Sequence, residues 1–450
     1  MKNATHPVDE ILPASKLFTL GLQHVLIMYA GAITIPLIVG GALNLPKTQL
    51  AQLISADLFV CGLATLVQAL GIWKVGIRLP IMMGVAFVAV GPMIAIGVNP
   101  DLGILGIFGA VIAAGIFAVL IAPFVGHLLP LFPPVVTGTV LLTIGLSLMG
   151  VAVNWSAGGQ PVINGMPNAD YGLLSNIGVA ALVLVCILGI IRCARGFIAN
   201  IAVLLGMLMG FAVTLAAGRV DFGGISDESW LAVVTPFQFG MPVFDPWAIV
   251  MMCLVMVLVM IESIGMFLVM GQIVNKPVSQ NDLTRAIRAD GVGTILGGVF
   301  NTFPYTAYSQ NIGLVQVTNV RSRWVCVAGG VIMLVLGMLP KLAFIVASIP
   351  PYVLGGAALV MFGMVAAIGI KVLGTVDFSE NRSNLYIVAV SVAMGLIPLI
   401  SGQFFQNFPP WLAPLTHNGI ALAALMAVAL NLIFNGYVRP ADVRQQEASS

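Results

Sequence analysis

Apolar stretches of lipid-spanning length follow one another along almost the whole chain, and two of them are broken in the same way at matching places. A crossing takes about 20 apolar residues, and twelve uninterrupted spans are predicted near residues 17–40, 48–71, 102–124, 134–153, 172–192, 197–217, 247–273, 284–301, 324–346, 351–371, 385–401 and 418–436. Two more stretches, about 77–97 and 302–318, are long enough to cross but are interrupted by Pro80, Pro92 and Pro304 and by extended-looking runs. They stand third in the first seven crossings and third in the second seven. Because seven is odd, the two halves insert with opposite topology. Interrupted segments at corresponding positions of two halves point to an inverted repeat with a site near the bilayer midplane. Two independent proline-kinked helices are the plainer alternative.

Composition supports the membrane reading: 60% of the 450 residues are hydrophobic and 8% charged, with a mean hydropathy of +1.08, far outside the range of soluble domains. The fold class is therefore an all-α polytopic membrane protein of fourteen transmembrane segments, two inverted repeats of seven, with short β-strands in the broken segments 3 and 10. Fourteen crossings put both termini on one side. With the N-terminus inside, fifteen Lys and Arg residues fall in inner loops and tails and only Lys47, Arg219 and Lys341 fall outside, a strong positive-inside bias. Both termini are expected to be cytoplasmic, with no cleaved signal before Lys16. The net charge of +2 carries little information on partners; the lipid bilayer is one, and no nucleic acid is expected. Cys61, Cys186, Cys193, Cys253 and Cys326 are odd in number and lack ligand spacing, so neither a disulfide framework nor a metal site is expected.

Polar residues at membrane depth usually mark a pathway or a site. They concentrate in Tyr308-Ser309-Gln310-Asn311-Ile312-Gly313 and onward to Thr318 and Arg321. The run Thr302 to Tyr308 suits a short extended piece, and Met83 to Val88 is its counterpart. Extended backbone inside a membrane is tolerated only when buried in protein or lining a cavity. If the two pieces meet, half-helices starting after them aim their positive N-terminal ends at that cavity. Such a site suits a small planar polar solute, and the Gln310 amide, both donor and acceptor, matches a lactam edge. Gln310 and Asn311 could instead cap the half-helix or bridge helices. Glu262, in MVLVMIESIGMF, has no basic residue within a turn and is suited to binding a proton or a substrate N–H. Asp290 could pair with Arg285 or Arg288. His24, beside Gln23, could be only a helix-to-helix hydrogen bonder, and Asp57 is an intramembrane acid with no partner visible in sequence. No Walker loop, HExxH or GxSxG occurs, so no enzyme is expected and transport would draw on an ion gradient, protons before sodium.

The stretch QNIGLVQVT from Gln310 to Thr318, with Arg321 after it, resembles the signature of the nucleobase-ascorbate transporter family. The resemblance extends to Gln23-His24, Ala86-Phe87, Glu262-Ser263 and Arg288-Ala289-Asp290-Gly291, and is nearest to bacterial uric acid and xanthine permeases. It implies a core domain (17–132 and 247–347, segments 1–4 and 8–11) moving against a gate domain (133–217 and 348–437, segments 5–7 and 12–14). An external linker (218–246) and cytoplasmic tails (1–16 and 438–450) complete the chain. It further implies a homodimeric proton symporter of the bacterial inner membrane, without cofactors, importing xanthine or uric acid. Glu262 and Gln310 would hydrogen-bond the base and the Phe87 backbone would touch it, with Ala86, Tyr308 and Ser309 beside the pocket. Asp290 would serve coupling or core integrity, and His24 and Asn311 would support the site. Asn319 departs from the pattern, standing where many bacterial members have Gly. Carriage of uracil or another nucleobase, and an anion exchanger or channel of the same seven-plus-seven architecture, are the alternatives.

Overall fold

The computed structural model describes residues 6–125, 129–163, 166–409, 412–416 and 418–436. The outer parts of both tails, with Lys2, Arg439 and Arg444 of the charge count, lie outside the described residues. In chain order the main elements are α1 (Ala14–Ala42), α2 (Lys47–Leu70), β1 (Met83–Val85), α3 (Val90–Gly97), α4 (Gly103–Ile121), α5 (Pro134–Ser156), α6 (Leu174–Cys193) and α7 (Ala202–Ala216). There follow α8 (Pro246–Ile273), α9 (Gln280–Val299), β2 (Tyr305–Ala307), α10 (Ser309–Thr318), α11 (Arg323–Gly337), α12 (Pro340–Ala347), α13 (Pro351–Leu373), α14 (Ser383–Ile400) and α15 (Gly419–Asn435).

Eight helices among the described residues are long and apolar enough to cross a membrane, or nine if α11 and α12 form one span bent by 80°. The difference from fourteen has a physical origin. The broken segments contribute half-helices of only 8 and 10 residues after their strands, α7 and α15 have 15 and 17 residues, and α9, though 20 residues long, carries Asp282, Arg285, Arg288 and Asp290. The bend between α11 and α12 corrects the expected straight span over 324–346: Pro340 cannot donate a hydrogen bond to the preceding turn and starts a new helix. The strands are also shorter than the extended runs read from the sequence, because a helical turn begins at Phe87 on one side and at Ser309 on the other.

The helix starts follow local chemistry. Asp245 caps α8 by accepting from the Ala248 N–H at 2.8 Å, with Pro246 in the first turn, where its missing N–H costs nothing. Ser279 and Asp282 form a reciprocal capping box on α9.

The chain falls into two compact units, one of residues up to Leu120 with Val151–Val360, the other of Ile121–Gly150 with residues from Met361 onward. In the first, α2 packs against α1, α9, α11 and α12. Its polar N-terminal stretch is pinned rather than free: Arg323 pairs with Asp9 at 2.6 Å, Ser322 Oγ donates to the Glu10 carbonyl, and Val8 is fully buried. The segment 219–245 carries one short helical turn, Ile225–Asp227, and is tied down by Lys47 on Asp221 and by backbone bonds to Met338, Val299 and Leu105. The Lys47 ammonium and the Gly223 N–H hold the exposed Asp221 carboxyl below the usual carboxylate range. In the second unit, Val135, Val136, Ile387 and Ala427 form an apolar core. Asn435 there joins Asn381, Asn384 and Asn431 in a chain of side-chain amides.

Candidate functional site

Lipid offers no hydrogen bonds, so a two-stranded ribbon inside an apolar protein must find a partner for each outward-facing N–H. In the first unit β1 and β2 pair antiparallel, Met83 opposite Ala307, Gly84 opposite Thr306 and Val85 opposite Tyr305. The pairing is extended by Tyr308 N–H to the Met82 carbonyl and Ala86 N–H to the Pro304 carbonyl, both at 2.9 Å. Three side-chain hydroxyls then serve the outer edges. Thr65 of α2 accepts from Met83 N–H at 2.9 Å, Thr294 of α9 from Tyr305 N–H at 3.1 Å, and Ser263 of α8 from Ala307 N–H at 3.3 Å. Ser263 also exchanges a hydrogen bond of 2.8 Å with Thr306. In the sequence these hydroxyls are marked only by being polar residues in otherwise apolar helices. Each such bond contributes roughly 0.6 kcal/mol inside a membrane protein, so the ribbon is held by their number.

The helical turn at Phe87 follows Ala86, and α10 follows Tyr308, without a side-chain cap; the Asn311 N–H returns to the Tyr308 carbonyl at 3.2 Å, which leaves the N–H groups of Ser309 and Gln310 at the start of α10 without an intrahelical acceptor. Ser309 and Gln310 open α10, Ser309 half-buried and Gln310 exposed, and Ser309 Oγ donates to Gln310 Oε1 at 3.1 Å. Thus Gln310 does not cap the helix. Ala86 is buried and Phe87 half-buried at the matching turn after β1. Helix α8 packs against β2, α10 and the Phe87 turn together, and it carries half-buried Glu262 next to Ser263. Among the described residues no cation pairs with Glu262; the ion pairs are those of Lys47 and Arg323. Glu262, Gln310, Ser309 and Phe87 are thus the partly open side chains around a ribbon whose other members are buried.

The supporting residues sit one layer away. Asn311 Nδ2 donates to the His24 ring at Nδ1 and to the His24 carbonyl, both at 3.0 Å, which locks α10 to α1 and puts the ring proton on Nε2. His24 is therefore a helix-to-helix bonder, and its partner is a residue of the motif. Asp290 is fully buried and does not pair with Arg285 or Arg288. Instead its Oδ1 accepts from Gln68 Nε2 at 3.2 Å, because Gln68 reaches across from α2 and also binds the Ala286 carbonyl and the Ile77 N–H. Asp290 lies within electrostatic reach of Glu262 and of the Ser263 hydroxyl. Asn319 ends α10 in the left-handed region with φ 53°, a conformation open to Gly and next best to Asn, so its departure from Gly keeps the turn.

Tyr308 is buried with its ring lodged between α1 and β1. A Cβ at Gly31 would stand 1.5 Å from the Tyr308 hydroxyl oxygen and one at Gly84 2.5 Å from its ring. Gly31→Ala is expected to cost about 1–3 kcal/mol by overpacking and to lower the thermal midpoint of the purified protein in detergent. Adding Tyr308→Phe should recover only part, since the ring carbon that carried the hydroxyl stays 2.8 Å from the new methyl. An unchanged midpoint in Gly31→Ala would show that the tyrosine is not wedged there.

Comparison with known proteins identifies the family. A family model described as a permease family, Xan_ur_permease, matches residues 15–401. The uric acid transporter UacT of Escherichia coli (strain K12) is 53% identical over 446 residues, covering 99% of this chain and 91% of that protein. The xanthine permease of Bacillus subtilis (strain 168) is 43% identical over 431 residues, 96% of each chain. The uric acid permease PucJ of the same organism is 44% identical over 420 residues, 93% of each. Among solved structures, the transmembrane domain of the cyanobacterium bicarbonate transporter BicA aligns with a TM-score of 0.57 at 15% identity, over 94% of this chain and 98% of that one. SLC26A9 aligns with a TM-score of 0.64 at 13% identity, over 94% and 66%. Those two likenesses concern the fold.

Proposed function

Since the chain belongs to the Xan_ur_permease family, the nucleobase-ascorbate transporters, and is a multi-pass transporter rather than an enzyme, we propose that it imports the oxidised purines uric acid and xanthine by proton symport. The observation that carries the reading is the β1–β2 ribbon with α10 starting uncapped after it, beside which, among the described residues, Glu262 offers a partly open carboxylate and Gln310 an open amide. A planar lactam needs alternating donors and acceptors. The Gln310 amide supplies one of each, the N–H groups at the start of α10 supply donors, and Glu262 supplies an acceptor for a substrate N–H.

In this reading Ala86 and Phe87 flank the base at the α3 turn, and Ser309 and Tyr308 do so at the α10 turn. His24 and Asn311 hold the α10 turn in place, and Asp290 keeps α9 joined to α2 through Gln68. Glu262 takes the proton that travels with the substrate. The fourteen segments form two inverted repeats of seven, and a core (17–132 and 247–347) moves against a gate (133–217 and 348–437). The protein works as a homodimer in the bacterial inner membrane with both termini cytoplasmic. The names of the relatives support the purine class.

The test is competition in cells deprived of their own purine uptake. Labelled xanthine uptake should be suppressed by unlabelled urate and unaffected by uracil or bicarbonate. Suppression by uracil alone would move the chain to the pyrimidine carriers, and suppression by bicarbonate alone to the anion exchangers.

A further inference from the structure

Asp57 lies in the body of α2, fully buried, and belongs to none of the contacts assigned above. Its Oδ1 accepts two hydrogen bonds from segment 10, from the Tyr305 hydroxyl at 2.7 Å and from Thr302 Oγ1 at 3.0 Å. The Tyr305 hydroxyl also sits 3.1 Å from the Asp57 backbone carbonyl. On the other side of the carboxyl, Oδ2 meets the Cys61 thiol at 3.8 Å, a weak donor. No cation pairs with Asp57 among the described residues.

An acid in this setting is expensive, and an apolar side chain would serve packing better. Its two donors identify what it holds. Thr302 and Tyr305 stand on either side of Phe303-Pro304, the point at which the chain leaves α9 and enters β2. Pro304 cannot donate to the ribbon, so the lead-in has one anchor fewer than the rest of the strand. Tyr305 is the first residue of β2, in register with Val85, and Ser309 and Gln310 follow directly after the strand and its Tyr308 cap. A shift of Tyr305 along α2 is therefore passed on to the first turn of α10.

We propose that Asp57 is a positioning residue for the substrate site: its Oδ1 fixes the depth and register of Thr302 and Tyr305, and through β2 the placement of Ser309 and Gln310. What the position requires is an acceptor oxygen at that point, not a negative charge. The inference rests on the transport reading for its kinetic consequence and on the hydrogen bonds alone for its structural one.

The variants are Asp57→Ala, which orphans two buried hydroxyls, Asp57→Asn, which keeps an acceptor oxygen, and Tyr305→Phe, which removes the shorter bond from the other end. At matched membrane abundance, Asp57→Ala and Tyr305→Phe should raise the KM for urate about tenfold, the cost of leaving such groups unpaired, with little change in maximal rate. Asp57→Asn should stay within about threefold of wild type. Where Asp57→Ala fails to insert, the pair Thr302→Val with Tyr305→Phe cuts the same two bonds.

A second readout needs no substrate: deuterium uptake by the peptide covering 302–312 of the purified full-length protein should rise in Asp57→Ala and Tyr305→Phe but not in Asp57→Asn. Absence of wild-type purine uptake would sink the transport reading while leaving the exchange result to decide this one. Equal damage from Asp57→Asn and Asp57→Ala would overturn the proposal, because charge would then be what matters. So would unchanged exchange in Asp57→Ala and Tyr305→Phe.

Discussion

Glu262→Gln is expected to give a folded, membrane-inserted protein that still equilibrates labelled urate across a bilayer but no longer concentrates it. Glutamine keeps the length and an acceptor oxygen, so the contact to a substrate N–H survives in weakened form, but it cannot carry a proton. The choice of Glu262 over Asp290 follows from their surroundings. Asp290 is fully buried and engaged by Gln68, whereas Glu262 is half-buried on the helix that packs against both broken segments and has no cation partner among the described residues. With one proton per substrate, a gradient of one pH unit supports about tenfold accumulation at most. The variant should reach an internal-to-external ratio of about one under the same gradient. Retained accumulation by Glu262→Gln would remove this residue from the coupling step.

The second large effect concerns Gln310. Exchanging it for Glu replaces a donor and an acceptor by a group that, ionised, only accepts. A carbonyl of the purine edge then loses its partner, and two acceptors face each other. An unpaired polar group at a desolvated site costs about 1–3 kcal/mol, so affinity for urate and xanthine should fall roughly 10- to 100-fold while protein abundance is unaffected. Because Ser309 Oγ already donates to the Gln310 side-chain oxygen, the carboxylate is accommodated locally and misfolding is not the expected cause. A competition profile identical to wild type would mean that Gln310 does not read the base.

The sequence made the segment boundaries legible to within a few residues, because each long helix is an apolar run closed by Pro, Gly or charge. The broken segments were legible as well: prolines and β-favouring residues at matching positions sufficed to expect the two extended pieces. How those pieces are held was not legible. Asp57 and Tyr305 are 248 positions apart, Asn311 and His24 287, and Gln68 and Asp290 222. Hydropathy carries no information on which helix faces which. The Arg partners considered for Asp290 are neighbours in sequence, but helix α9 turns Asp290 toward α2 instead. Likewise the place of Tyr308 depends on Gly31 and Gly84, two glycines that look like ordinary membrane glycines until the ring is seen between them.

The most direct measurement is urate uptake by the purified protein in liposomes, driven by an imposed pH gradient and nothing else. Accumulation above equilibrium with the interior alkaline, abolished by a protonophore and absent in Glu262→Gln, is the expected result. Accumulation that survives the protonophore, or urate entry no faster than in empty liposomes, would contradict proton-coupled purine transport by this site.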